Sequence, residues 1–259
     1  MDRLLRALAV CITLVGCGMP LTPEAFTSSP EALALRSIVD RLTQRDFASV
    51  EAQLDPALAQ GGIRAALEKT ANAIPSAPIT KVEAVAWKVV VATGRPRTAA
   101  VAAEYTFGQK QWLVASAQLT GEPNAYRILS FNVEPLPAPM SQIHAFTLSG
   151  KGVTHYLFLV AAVAAVVVTL FALVRCARAK GLRRKWLWLI FIALGFVSFT
   201  INWSNGAVSI NPLAFNLLSA AFMRQGWLGP WMLTFCVPVG AIWFLLRQRG
   251  AAQNVTTAG

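Results

Sequence analysis

The chain has 259 residues, 55% of them hydrophobic and only 14% charged, with a formal net charge of +11. A water-soluble domain carries about 25% charged residues, so a large part of this chain is not written for water. The location of the excess charge argues against a nucleic-acid footprint, which would be a basic face on a folded domain: residues 21–134 hold 11 basic and 11 acidic side chains, and after Glu134 no Asp or Glu occurs while ten Lys or Arg remain.

Arg3 and Arg6 precede a short apolar run, residues 7–15. A bilayer core needs about 20 residues, so this run fits the h-region of an export signal and not a span. It ends in Leu14, Val15, Gly16 and Cys17. Those four residues resemble the lipobox of bacterial lipoproteins, which implies a signal peptide over residues 1–16, cleavage before Cys17 and acylation of that Cys. The competing readings are an ordinary cleaved signal and a short uncleaved anchor. Lipid on Cys17 would hold the start of an exported domain at the membrane surface.

Residues 17–30 are rich in Pro, Thr and Ser and read as a linker. Ser29, Pro30 and Glu31 then form a helix start, with Ser as cap and Pro in the first turn. Leu33, Leu35, Ile38, Val39 and Leu42 lie on one helical stripe. Asp46 can cap a second helix carrying Phe47, Val50 and Leu54, which stops at Asp55 and Pro56. Gly61 and Gly62 separate it from a third helix over residues 63–74. After Pro75 and Pro78 the periodicity changes from helical to alternating. Four strands are predicted: one on Val82, Val85, Trp87, Val89 and Val91; one on Val101, Ala103, Tyr105 and Phe107; one over residues 111–119; one on Tyr126, Ile128, Phe131 and Val133. The turns between them fall at residues 94–97, 108–109 and 121–124. Helices followed by an antiparallel meander is an α+β layout.

That order over residues 31–135 resembles the nuclear-transport-factor-like, or cystatin-like, cone fold, in which helices pack into a curved sheet. Tyr105 to Trp112 followed by Tyr126, Arg127 and Ile128 resembles small exported bacterial domains of this type. The resemblance implies a fold and not an activity. Enzymes of the cone fold place an acid or base inside it, and the candidates here are Asp40, Asp55, Glu104 and Tyr105. Asp55 before a proline is ordinary turn chemistry, Asp40 among Arg36, Arg41 and Arg45 is a solvated helix face, Glu104 is expected to face water, and Tyr105 is expected in the core. Trp87, Trp112 and Phe131, with Tyr105 beside them, are candidates to line a pocket at the cone's mouth; core packing is the favoured alternative for large aromatics. Of the four cysteines, Cys11, Cys17, Cys176 and Cys236, none lies within residues 31–135, so no disulfide framework is available there. Neither a metal nor a cofactor is expected, because no His, Cys or carboxylate set has ligand spacing.

Residues 136–154, with Pro137, Pro139, Gly150 and Gly152, read as a second linker. The rest, residues 155–249, is expected to be an all-α membrane part of three transmembrane helices at 156–174, 186–203 and 228–246, with a cytoplasmic tail over 250–259. Six basic residues among residues 175–185, and Arg247 and Arg249, mark the cytoplasmic side. Trp186 and Trp188 are expected at the inner interface, and Trp203, Trp227 and Trp231 at the outer one. Asn211 and Pro212 can start a helix near residues 211–224, read as lying on the outer leaflet, with a re-entrant segment as the alternative.

The expectation is thus a multi-pass protein of the bacterial inner membrane with an extracytoplasmic N-terminal domain and a cytoplasmic C-terminus. Its predicted role is a non-enzymatic binding or interaction module, partnered by the bilayer and by a protein or small ligand of the envelope. The alternatives are an accessory subunit working through its helices, and a cone-fold enzyme acting on an envelope lipid or small metabolite.

Overall fold

The structure, a computed structural model, describes residues 22–58, 62–94, 96–123, 125–180, 182 and 184–256. The signal peptide over residues 1–16 and the lipidation candidate Cys17 lie outside them. The chain divides into two units between Pro137 and Ala138.

In the first unit, short polar side chains set the helix starts. Thr22 Oγ1 accepts from Ala25 N (3.2 Å) and opens α1 (Pro23–Thr27). Ser29 Oγ accepts from Ala32 N (3.1 Å) and opens α2 (Pro30–Thr43). These side chains replace the acceptors that the first helical N–H groups lack. The linker expected over 17–30 therefore already contains a helical turn, which buries Phe26. Asp46 caps α3 (Phe47–Glu51), and α4 (Ile63–Ala73) follows. On α2, Leu35, Ile38, Val39 and Leu42 are fully buried, each worth about 1.5–3 kcal/mol of transfer free energy. Leu33, expected on the same stripe, is 56% exposed, because it projects beside this face and not into it.

The helices pack on an antiparallel meander of β1 (Ile79–Val90), β2 (Thr98–Phe107), β3 (Gln111–Thr120) and β4 (Arg127–Leu136), in spatial order β1-β2-β3-β4. Alternation selects the buried face. Val101, Ala103, Tyr105 and Phe107 of β2 and Leu113, Ala115, Ala117 and Leu119 of β3 form it. Leu54 bridges to Ile128, where Asp55 N donates to Ile128 O (3.0 Å) and Ile128 N to Gln53 O (2.8 Å). This ties the turn after α3 to the start of β4.

The second unit overturns the expectation of three transmembrane helices. After the short α5 (Met140–Ile143) come α6 (Val153–Arg178), α7 (Lys185–Ala193), β5 (Leu194–Asn202), β6 (Val208–Leu217), β7 (Ala220–Arg224), β8 (Trp231–Val237) and α8 (Val239–Thr256). The four strands form a second antiparallel sheet in the order β6-β5-β8-β7. The unit is α+β, not all-α. Among the described residues one helix, α6, is long and apolar enough to cross a membrane: its 26 residues extend about 39 Å, and an 18-residue window has mean hydropathy 3.0 with 22% of it buried.

The physical reasons are local. The expected second span stays helical only to Ala193. Then come Gly195, which costs a helix about 1 kcal/mol, and Phe196, Val197, Phe199, Thr200 and Ile201, which favour a pleated surface. A Cβ at Gly195 would stand 2.8 Å from the Ser219 Cα, so glycine also lets the turn after β6 close over β5. The expected interfacial helix is two strands, β6 and β7, joined by Leu218 and Ser219, both at positive φ (57° and 62°). Pro212 is tolerated because β6 is an edge strand and the register slips there: Asn211 pairs with Ser198, but Phe215 pairs with Phe196. The expected third span is a strand and a helix separated by Pro238, whose missing N–H suits a helix start. Trp203, expected at a membrane interface, is 1% exposed and packs with Ala162, Ile201 and Leu233.

Candidate functional site

The first unit hides a charged pair in its core. Glu31, in the first turn of α2, has no exposed surface and forms an ion pair with Arg97, which precedes β2. Tyr126, just before β4, donates its phenolic hydrogen to Glu31 Oε1 (2.8 Å). Arg97 is itself held by its backbone: its carbonyl accepts from Gly121 N (3.0 Å) and from Thr120 Oγ1 (3.3 Å). The cluster thus joins the first turn of α2 to the β1–β2 and β3–β4 connections. Among the described residues Glu31 Oε2 and Arg97 Nε find no hydrogen-bond partner. Burial, then the hydrogen bond to Glu31, pushes the Tyr126 phenol up to about 12, so it remains a proton donor throughout the neutral range.

Tyr126 also faces outward. With Leu33, Ser37, Gln53, Arg127 and Ile128 it lines a cleft of about 450 Å³ between α2, the turn after α3 and the start of β4. Ligand clefts span roughly 300–1,000 Å³ and combine apolar walls with a few convergent polar groups. Here Leu33, Ile38, Leu119 and Ile128 are among the apolar walls. The polar share comes from the Ser37 hydroxyl, the Gln53 amide, the Tyr126 phenol and the Arg127 guanidinium.

The aromatic residues singled out from the sequence lie elsewhere. Trp87, Val101, Ala117 and Phe131 are successive register partners on the helix-covered face. With strands about 4.8 Å apart, Trp87 and Phe131 stand about 14 Å from each other. Tyr105 is buried on that face beside Phe107 (6.5 Å between centroids), and burial raises its phenol well above the usual range. Trp112 pairs with Thr106, one residue out of phase with Tyr105, and so points to the opposite face. Trp87 meets Phe26 edge-on at 6.1 Å. None of the four lines the cleft.

Among the acid–base candidates, Asp40 makes an exposed i,i+4 pair with Arg36 (3.8 Å), and Asp55 accepts from Ala57 N (3.0 Å) in a turn. Glu104, expected to face water, is 2% exposed; its register partners are Glu83 and Val114 on the flanking strands. Glu31, Arg97 and Tyr126 were legible only as a helix start, a turn and a strand start. The available signal was topological: in a meander both of those connections fall at one end of the sheet. Among the described residues no group of three His, Cys, Asp or Glu side chains could hold a metal ion. Compared with known protein families, curated proteins and solved structures, the chain matches none.

Proposed function

We propose that this chain is a membrane-anchored, non-enzymatic binding protein: α6 holds it in a bilayer, and the first unit offers the cleft beside Tyr126 to an amphipathic partner, a protein segment or a small ligand. The observation that carries the reading is the cleft itself. It pairs a 56%-exposed Leu33 with hydrogen-bonding groups on three different elements, an arrangement suited to an occupant with one apolar and one polar side.

The large apolar surface of the second unit supports the anchor. Val160, Val163 and Val167 on α6, Leu213 and Phe215 on β6 and Trp243 on α8 are each more than half exposed. Exposed apolar surface on this scale belongs against lipid or another apolar partner. The export signal, acylation of Cys17, the bacterial inner membrane as location and an extracytoplasmic first unit of cone-fold kinship belong to the same proposal, motivated by the N-terminal residues.

The test is a photoreactive benzophenone side chain at position 33 of the full chain, expressed in its native membrane. A discrete adduct, identified by mass spectrometry and absent when the probe stands at Glu83 on the other sheet face, is the expected result. Equal labelling from the two positions would sink the proposal.

A further inference from the structure

A second cavity lies within the second unit, and its chemistry differs. About 340 Å³ in volume, it runs between α6 and the edge strand β7. Leu159, Ala162 and Val163 form part of one wall, and Ala220, Phe222 and Leu233 the other. Every side chain lining it is apolar, and the one N–H among them, Trp203 Nε1, already donates to Thr147 O (2.8 Å). Water gains no hydrogen bonds there.

Two observations identify an occupant. The first is continuity: Val163 and Val167 line the groove and are also 56% and 58% exposed on the outward face of α6. The groove therefore opens on the very surface that an embedded α6 presents to lipid tails. From Leu159 to Val167 it follows the helix for about 12 Å. The second is charge at one end. Lys151 Nζ donates to Trp203 O (2.8 Å), and the His155 ring meets Trp203 edge-on at 5.2 Å. His155 is nine-tenths buried, and neither ring nitrogen has a partner among the described residues. Arg224 lies 5.6 Å over the Trp231 ring, which stacks on Phe222 at 4.8 Å. No Asp or Glu occurs after Glu134, so no carboxylate side chain of this unit can balance these cations. Aromatic rings gathered with cations are the chemistry of a headgroup boundary.

We propose that this groove holds an acyl chain of an anionic phospholipid from the surrounding bilayer, with the headgroup at the Lys151–Arg224 end. The inference goes beyond the cleft of the first unit and rests only on α6 lying in a membrane.

The experiment uses the full chain in nanodiscs containing equal amounts of phosphatidylglycerol and phosphatidylcholine with identical acyl chains. Native mass spectrometry after release should show one phosphatidylglycerol retained in preference to phosphatidylcholine. Val163→Trp fills the groove from an exposed position and should cut retention about tenfold, or 1.4 kcal/mol. The double variant K151Q/R224Q should keep a lipid but lose the headgroup preference. A brominated-chain phosphatidylglycerol should quench Trp203, read as the quenching lost in Trp203→Phe; this measurement needs no groove-filling variant. The proposal is overturned by equal retention of both lipids, by retention unchanged in Val163→Trp, by absence of Trp203 quenching, or by a dimer that Val163→Trp dissolves, which would give the groove to a second copy. Carbonate extraction of native membranes reads the anchor separately: release of the chain there would remove the embedded α6 without altering the lipid measurement.

Discussion

Each unit sets helices against a four-stranded antiparallel sheet, yet their sequences look nothing alike. In the first unit the strands alternate: β3 reads half-buried or exposed, then buried, with a period of two from Trp112 to Thr120. Polar residues mark the face away from the helices, and a buried ion pair ties the connections together. In the second unit β5 has buried residues at Gly195, Ser198 and Ile201, a spacing of three that includes a register slip at Val197 (φ 58°), and apolar residues on both sides. The difference lies in what surrounds each sheet. A sheet with one wet face must alternate, whereas one apolar on both faces need not, and its sequence then resembles a membrane helix.

The comparison can be broken most sharply at the charged pair. Glu31→Ala removes the partner of Arg97 and the acceptor of Tyr126. The charge left behind, Arg97, is 26% exposed, so the roughly 3–5 kcal/mol cost of breaking a buried pair is an upper bound, and denaturant unfolding of the full chain should show a loss approaching it. A loss below about 1 kcal/mol would mean that the first unit does not depend on the pair. Glu31→Gln, which keeps an acceptor, should lie between this variant and the parent.

The next effect tests the second unit. Ala164 is exposed midway along α6 and does not line the groove. An Arg at the centre of a span costs about 2.5–3.5 kcal/mol of insertion, so Ala164→Arg should shift the chain out of the carbonate-resistant fraction. On a helix exposed to water the same change would cost nothing, and an unaltered membrane fraction would refute the anchor.

The smallest effect belongs to Tyr126→Phe. Its hydrogen bond goes to a charged acceptor, a class worth about 1.5–3 kcal/mol, and partial exposure of Tyr126 places the loss near the lower bound. The sign with pH follows from linkage. The folded phenol sits at about 12 against an ordinary value of 10.0, so its contribution is fully present below pH 10 and lost as pH rises from 10 to 12. Stability measured across that window should fall in the parent and be flatter in Tyr126→Phe.

The strands of the first unit were legible because Val101, Ala103, Tyr105 and Phe107 carry the period of the pleat, and its helix starts because Ser29 and Asp46 act within four residues. The site was not. Glu31 and Tyr126 are 95 residues apart, and Trp112 points away from Tyr105 through a register that no local pattern displays. In the second unit hydropathy found α6, among the described residues the one helix long and apolar enough to cross a membrane, and misread the other two expected spans. An apolar run reports that residues avoid water, and a strand joined to a short helix avoids it as well as a span does.

The sequence by itself determined local events: the helix starts at Ser29 and Asp46, the alternation that places the strands of the first unit, where charge is excluded, and an apolar run over residues 156–174 that the structure contains within α6. These depend on neighbours within a few positions. Tertiary structure alone decided that Trp203 enters a core, and that Glu31, Arg97 and Tyr126 meet. Each of those outcomes is set by long-range pairing, whose energy is not encoded in any short window of residues.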